Sequence, residues 1–218
     1  MDTKIYNKQM RVFTKKMKEL GFQKWKSTFF VRKTEYDVVE EIHIQRFSDG
    51  KEVTGNYGFS LLYQPYLATR FETSRRFGQL VYGKDHWWPL ETEADCEKAF
   101  DDFYNIIKEK IIPEFNKFKD SKEIIKLSED KILFFQHYIK ILINLHSKNY
   151  REAKKNYDYT IENFDILNEN EKDFYFIDLN RKELSEIPKM VFHDERACMD
   201  FLKSNIDENI KKMKYPFK

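Results

Sequence analysis

The sequence predicts an α+β protein: an antiparallel β-meander flanked by an N-terminal helix and a returning helix, followed by an all-helical C-terminal region. Three observations support this. Apolar residues recur at helical spacing near the N-terminus, they alternate with polar residues across residues 36–63, and no convincing strand pattern follows residue 127. We therefore expect an α+β domain at residues 1–127 and a region of about four helices at residues 128–218.

The first helix is expected at residues 3–20, where apolar side chains recur at spacings of three and four: Tyr6, Met10, Phe13, Met17 and Leu20. Basic side chains recur with the same rhythm: Lys4, Lys8, Arg11, Lys15 and Lys18. At about 100° per residue, the two stripes lie roughly 160° apart on the helix. Gly21 follows the last apolar residue and suits the position just after a helix end.

The following segment changes to the period of two that strands show. Strands are expected at residues 22–25, 28–32, 36–47 and 53–63, with a turn signal at Ser48-Asp49-Gly50-Lys51. Gly55 and Gly58 fall inside the last pattern, where they indicate close backbone approach rather than a phosphate-binding loop. The predicted core contains Phe13, Met17, Ile42, Ile44, Phe59, Phe103 and Ile107.

Residues 65–91 show no regular pattern and are expected to be irregular. Thr92, with Asp95 three residues later, predicts the start of the returning helix, which continues to about residue 118. Pro113 should kink or restart that helix because proline lacks the backbone N–H. Four further helices are predicted at residues 128–146, 150–167, 171–187 and 194–213.

Composition limits the class of protein more than its activity. The net charge of +2 is unevenly distributed, with +8 in residues 1–33 and −5 in residues 34–127. The two cysteines exclude a disulfide scaffold. No apolar run approaches the roughly 20 residues of a membrane span, and the N-terminus lacks the apolar run of a secretory signal. A cytoplasmic location is therefore expected.

Motifs that carry chemistry are missing from the sequence. The five histidines and two cysteines show no metal-ligand spacing. Neither a P-loop, a dinucleotide fingerprint nor a nucleophile-elbow motif occurs. We therefore expect no catalytic residue, no metal and no cofactor, and a protein that is not an enzyme.

Two groups of residues are candidates for binding. The basic stripe on the first helix, Lys4, Lys8, Arg11, Lys15 and Lys18, could bind phosphate backbones or an anionic surface, although such stripes are also ordinary solvated faces. The second group is the Arg/Trp loop, whose members are Arg70, Arg75, Arg76, His86, Trp87 and Trp88. Arginine and tryptophan are enriched at interaction hot spots, but large aromatics also serve packing.

Short motifs along residues 1–127 resemble the domain of unknown function 4304 family. They are Leu20-Gly21-Phe22, Phe29-Phe30-Val31-Arg32, Ile42-His43-Ile44-Gln45, Asn56-Tyr57-Gly58-Phe59, Trp87-Trp88-Pro89 and Ile111-Ile112-Pro113. Their order fits a helix, a meander and a returning helix. The resemblance implies a fold and no catalytic residues.

Residues 130–167 resemble a single tetratricopeptide-type helical hairpin. Asn149-Tyr150, with Ala153 three residues later, resembles the turn and the small residue at the helix crossing. Lys140 departs from the pattern, and no second copy follows at the repeat period of about 34 residues.

These observations favour a non-enzymatic binding or regulatory module that acts on a protein partner. An immunity-type or regulatory protein would fit, and a composition poor in glycine and rich in lysine, isoleucine and asparagine hints at a bacterium. The alternative is a nucleic-acid-associated protein that uses the basic stripe. A third hypothesis is an enzyme whose catalytic residues come together only in the folded chain.

Overall fold

The computed structural model describes residues 3–65, 75–119, 121–127, 133–169 and 174–217. The described residues form two compact units. The first contains residues up to Ser60, residues 75–117 and the tail from Lys214. The second contains residues 61–65 and those from Phe118 to Met213. The domain division at residue 127 stays a prediction.

Helix α1 spans Thr3–Glu19 and buries four members of the predicted apolar stripe, whereas Leu20 lies just past the helix and is partly exposed: Tyr6, Met10, Phe13 and Met17 are buried. It ends where Gly21 adopts a left-handed φ of +83°. The amide of Gly21 donates to the carbonyl of Lys18 at 3.0 Å, and the amide of Phe22 donates to that of Met17 at 3.0 Å. These bonds satisfy carbonyls that the helix end would otherwise leave unpaired. The predicted role of Gly21 is confirmed.

The antiparallel sheet also confirms the predicted fold class. Its strands are β1 (Gln23–Lys24), β2 (Phe29–Lys33), β3 (Val38–Arg46), β4 (Glu52–Leu61), β5 (Arg75–Arg76) and β6 (Trp88–Pro89). The order is β1-β2-β3-β4-β5, and β6 also pairs with β4. Strands β3 and β4 form a hairpin, in which the amide of Phe47 donates to the carbonyl of Glu52 at 2.9 Å.

Segment 75–91 corrects the expectation of irregular structure. It contains β5, the short helix α2 (Phe77–Tyr82) and β6. Helix α2 ends at Gly83, whose φ is +70°. Elements of two to six residues are too short to show a period in the sequence, and the two strands form here because β4 supplies their hydrogen-bonding partners.

The returning helix packs with α1 over one face of the sheet. Helix α3 (Glu93–Ile106) begins with a capping box between Thr92 and Asp95. A π-helical turn follows at Ile107–Ile111, then α4 at Ile112–Phe115, where Pro113 occupies the first turn as predicted. A 3-10 turn spans Asn116–Lys119. All seven predicted core residues are buried: Phe13, Met17, Ile42, Ile44, Phe59, Phe103 and Ile107.

The second unit is helical. Its helices are α5 (Ser121–Leu127), α6 (Leu133–His146), α7 (Tyr150–Glu162), α8 (Phe164–Leu167), α9 (Phe174–Ser185) and α10 (Glu195–Met213), with a 3-10 turn at Lys189–Phe192. Helices α6 and α7 pack together as a hairpin, in which Ala153 is fully buried. The described part of the chain contains no helix that is both long enough and apolar enough to cross a membrane.

Candidate functional site

The Arg/Trp loop does not form one cluster, because its residues alternate between the two faces of the sheet. Arg75 lies opposite Tyr57 and Arg76 opposite Asn56 in the β4–β5 register. Trp88 lies opposite Val53, a residue of the core face. Successive strand residues point to opposite faces, so Arg75 and Trp88 lie on the core face while Arg76 and Trp87 lie on the other. Arg70 lies outside the described residues.

Trp88 belongs to the core. Its side chain is 4% exposed, and its indole Nε1 donates to Asp102 Oδ2 on α3 at 3.1 Å. Its ring meets the ring of Phe103 edge-on at 4.9 Å. The partly exposed His86 packs against Trp88 at 4.4 Å and against Tyr82 at 4.7 Å. Trp88 is therefore inaccessible to a partner in this conformation.

Arg75 takes part in a polar group on the core face. The hydroxyl of Tyr57 donates to Glu114 Oε2 at 2.9 Å, and Arg75 forms a hydrogen bond with the same tyrosine. Burial, followed by the negative charge of Glu114, raises the pKa of Tyr57 well above its usual value. Tyr57 therefore stays a neutral hydroxyl that links β4 to α4.

The other face carries an arginine–aromatic cluster, formed by Phe47, Arg76, Asp85 and Trp87. The Arg76 guanidinium lies over the Trp87 ring, 5.2 Å from its centroid, and forms an ion pair with Asp85. The Trp87 ring meets Phe47 edge-on at 5.2 Å. Phe47 is 45% exposed, while Arg76 and Trp87 are partly exposed. Each large side chain is held by another, so the cluster presents a preorganised surface.

The chemistry of this cluster suits recognition. Cation–π stacking and an ion pair orient the guanidinium, and the two rings supply apolar area at small entropic cost. Among the described residues, no group of three or more His, Cys, Asp or Glu side chains could hold a metal ion.

The basic stripe on α1 is partly neutralised by α3. Lys8 Nζ lies 3.1 Å from Glu93 Oε1, and the neighbouring Lys16 lies 2.7 Å from Asp101 Oδ1. The hydrogen bond with Glu93 raises the pKa of Lys8. The remaining members of the stripe are exposed: Lys4, Arg11, Lys15 and Lys18. Arg11, Lys15 and Lys18 form no ion pair with any residue that the structure describes.

Sequence reasoning missed a polar network on the sheet face opposite α1. Glu41 Oε1 accepts hydrogen bonds from Ser60 Oγ at 3.1 Å and from the Tyr215 hydroxyl at 2.9 Å. Burial raises the pKa of Glu41. His43 stacks on Phe29 with a centroid separation of 4.0 Å, and burial lowers its pKa to about 4. Strand alternation could have placed Glu41 and His43 together, but Tyr215 is 174 residues away from Glu41.

The second unit carries an open groove of about 650 Å³ along α7 and the 3-10 turn that precedes α10. Its lining is Tyr150, Arg151, Lys154, Lys155, Asp158, Tyr159, Glu162, Phe192 and His193. Lys154 forms an ion pair with Asp158, and Lys155 lies 3.9 Å from Glu152. Because acids on the same helix offset these lysines, the groove does not select strongly for an anion.

Residues 13–117 match the family model described as Domain of unknown function (DUF4304). The resemblance seen in the sequence is thereby confirmed over these residues. The DUF4304 match contains the whole arginine–aromatic cluster, the C-terminal part of α1 and all six strands of the sheet. Its description assigns no activity. Neither a curated protein nor a solved structure matches the chain.

Proposed function

We propose that this chain is a non-enzymatic binding module that recognises a protein partner through the arginine–aromatic cluster. The observation that carries the proposal is the placement of Arg76 over the accessible Trp87 ring, with Asp85 holding the guanidinium in that position. A regulatory or immunity-type role in a bacterium suits a small module of this kind.

Energetics favour such a cluster as the centre of an interface. Hot-spot residues cost about 2 kcal/mol or more when truncated, and they are enriched in Trp and Arg. Ordering a mobile side chain on binding costs about 0.5–1.5 kcal/mol. Arg76 and Trp87 are already ordered by their neighbours, so less of the interaction energy is lost when a partner binds.

The alternative function is association with nucleic acid through the basic stripe. The observation in its favour is that the exposed Arg11, Lys15 and Lys18 form no ion pair with any residue in the described part of the chain. The acids of α3 lie alongside, where Glu93 and Asp101 engage Lys8 and Lys16 and Glu97 accepts from Gln9 at 3.0 Å. These acids weaken the field that phosphate binding requires, so the protein-binding proposal is preferred.

The test is capture of partners from the native host by the full chain, followed by affinity measurement with the purified partner. Arg76→Ala and Trp87→Ala should each weaken binding about 30-fold or more, the equivalent of 2 kcal/mol. Met199→Ala is the matched control, because Met199 is a large side chain that is 54% exposed in the second unit.

A charge-reversed variant, with Arg11, Lys15 and Lys18 all changed to Glu, separates the two functions. It should retain partner binding under the leading proposal. The alternative is supported if the wild type binds random duplex nucleic acid and the charge-reversed variant does not. That binding should weaken with salt at a log–log slope near −0.9 per phosphate contacted. A captured partner that binds both cluster variants as tightly as the wild type contradicts the leading proposal.

A further inference from the structure

The C-terminal tail, residues 214–217, contacts the rest of the first unit through the buried side chain of Tyr215. Helix α10 ends at Met213, and Lys214 follows with a left-handed φ of +52° that redirects the chain. The tail then belongs to the first unit. Of the tail residues that the structure describes, Tyr215 alone is buried, at 6% exposure.

A pocket with both apolar and polar walls receives the Tyr215 side chain. The Tyr215 ring lies 4.7 Å from the Trp25 ring, and Phe217 stacks on Tyr215 at 5.2 Å. The Tyr215 hydroxyl donates to Glu41 Oε1 at 2.9 Å, and Ser60 donates to the same oxygen at 3.1 Å. The pocket therefore contacts the Tyr215 ring and also accepts a hydrogen bond from its hydroxyl group.

Glu41 makes the pocket selective for a phenol. A desolvated carboxylate needs hydrogen-bond donors, and Ser60 and Tyr215 are the two hydroxyl groups that donate to it. Lys26, whose Nζ lies 3.9 Å from the Trp25 ring, contributes a positive charge nearby. A phenylalanine could fill the same space but would leave the carboxylate with one hydroxyl donor fewer.

We propose that Trp25, Glu41 and Ser60 form a binding pocket for a tyrosine side chain, and that this chain's own residues 214–217 occupy it reversibly as a latch. Residues 214–217 form neither helix nor strand, and Tyr215 is their one buried residue, so the latch can open without disturbing a strand or helix. The pocket shares no residue with the arginine–aromatic cluster, and the inference does not depend on the proposed function.

The experiment uses a variant that ends at Met213 and a synthetic peptide with the sequence of residues 214–218, titrated by calorimetry. The truncated chain should bind the peptide saturably with one site. A peptide with Tyr215→Phe should bind about tenfold more weakly, because the hydrogen bond to a charged group is lost. The full chain, whose pocket is filled, should bind the Tyr peptide at least about tenfold more weakly than the truncated chain.

Three peptide-binding results overturn the proposal. The first is that a truncated chain with unchanged circular dichroism does not bind the peptide. The second is equal binding of the Tyr and Phe peptides, and the third is equal binding of the Tyr peptide by the truncated and full chains. A dimer of the full chain that Tyr215→Ala abolishes also overturns it, since the tail would then dock on a second copy.

A measurement on the full-length chain keeps the inference testable if the truncated variant does not fold. Carboxypeptidase should release Phe217 about tenfold faster from Glu41→Ala than from the wild type, because opening of the latch controls cleavage. Glu35→Ala is the matched control, since Glu35 is an exposed carboxylate in the turn before β3. Equal release from Glu41→Ala and the wild type overturns the proposal.

Discussion

The side-chain amide of Asn209, on α10, donates a 2.8 Å hydrogen bond to the main-chain carbonyl of Leu62, 147 residues earlier. The same nitrogen also donates to the carbonyl of Gln64 at 2.8 Å. Asn209 is 2% exposed, and all three residues belong to the second unit. This one amide therefore satisfies two carbonyls in the segment that follows β4.

Replacing Asn209 should destabilise the protein, because its amide is the donor to two carbonyls. Asn209→Leu keeps the branched shape of the side chain but leaves two carbonyls without their donor, and we expect the free energy of unfolding to fall by about 2 kcal/mol. Urea denaturation measures the change. Lys203→Ala, at an exposed position of α10, should alter the free energy by less than about 0.5 kcal/mol. Equal denaturation midpoints for Asn209→Leu and the wild type would contradict the assigned role.

Gly55 is required because the Phe77 ring lies against its backbone. A Cβ at residue 55 would come within 2.3 Å of Phe77 Cε2. Gly55→Ala should therefore cost about 1–3 kcal/mol by overpacking. In a Phe77→Leu background the same substitution should cost measurably less, since the clashing ring is gone. An identical cost in both backgrounds, measured by thermal unfolding, would show that the strain has another source.

Phe13 anchors α1 in the core. It is 1% exposed and contacts Phe30 at 5.4 Å and Phe100 at 5.3 Å between ring centroids. Phe13→Ala should lower the free energy of unfolding by about 3–5 kcal/mol. The neighbouring Val12 is 45% exposed, so Val12→Ala should change it by less than about 0.5 kcal/mol. A denaturant midpoint that Phe13→Ala leaves unmoved would refute the packing of α1.

His43 should make stability depend on pH. Burial lowers its folded pKa from 6.5 to about 4, so the unfolded chain binds a proton that the folded chain excludes. The contribution of His43 to the free energy of unfolding is therefore fully present above pH 6.5. It falls by on the order of 1–3 kcal/mol as the pH decreases towards the folded pKa.

His43→Gln provides the comparison for this pH dependence. The difference in unfolding free energy between wild type and His43→Gln should shrink as pH falls from 6.5 to 4, because glutamine does not titrate. Taking the difference cancels the opposite contribution of Glu41, whose pKa is raised. A difference that stays constant over this range would exclude His43 as the titrating group.

Local periodicity was sufficient for the long elements. Helix α1, strands β2 to β4 and helix α3 each repeat an apolar pattern often enough to be recognised, and the seven predicted core residues are buried. The capping residues Gly21 and Thr92 were also predictable, because each acts within a few residues of its own position. The two-residue strands β5 and β6 were not, because hydrogen bonds to β4 define them.

The candidate sites show the same division between local and long-range information. The sequence singled out Arg76 and Trp87 as candidates for binding, but it grouped them with Trp88, which the fold buries. Strand pairing decides which residues of a loop share a face, and that pairing joins segments far apart in the chain.

By itself, the sequence determined the α+β class, the end of α1, the start of α3 and seven residues of the core, since these follow from patterns within a few turns or strands. Only the tertiary structure decided that Phe47 joins Trp87, that Asn209 donates to Leu62 and that Tyr215 reaches Glu41. Each of these contacts spans at least 40 residues. Such contacts form only when whole helices and strands pack together, and the residues next to each position in the sequence do not indicate that packing.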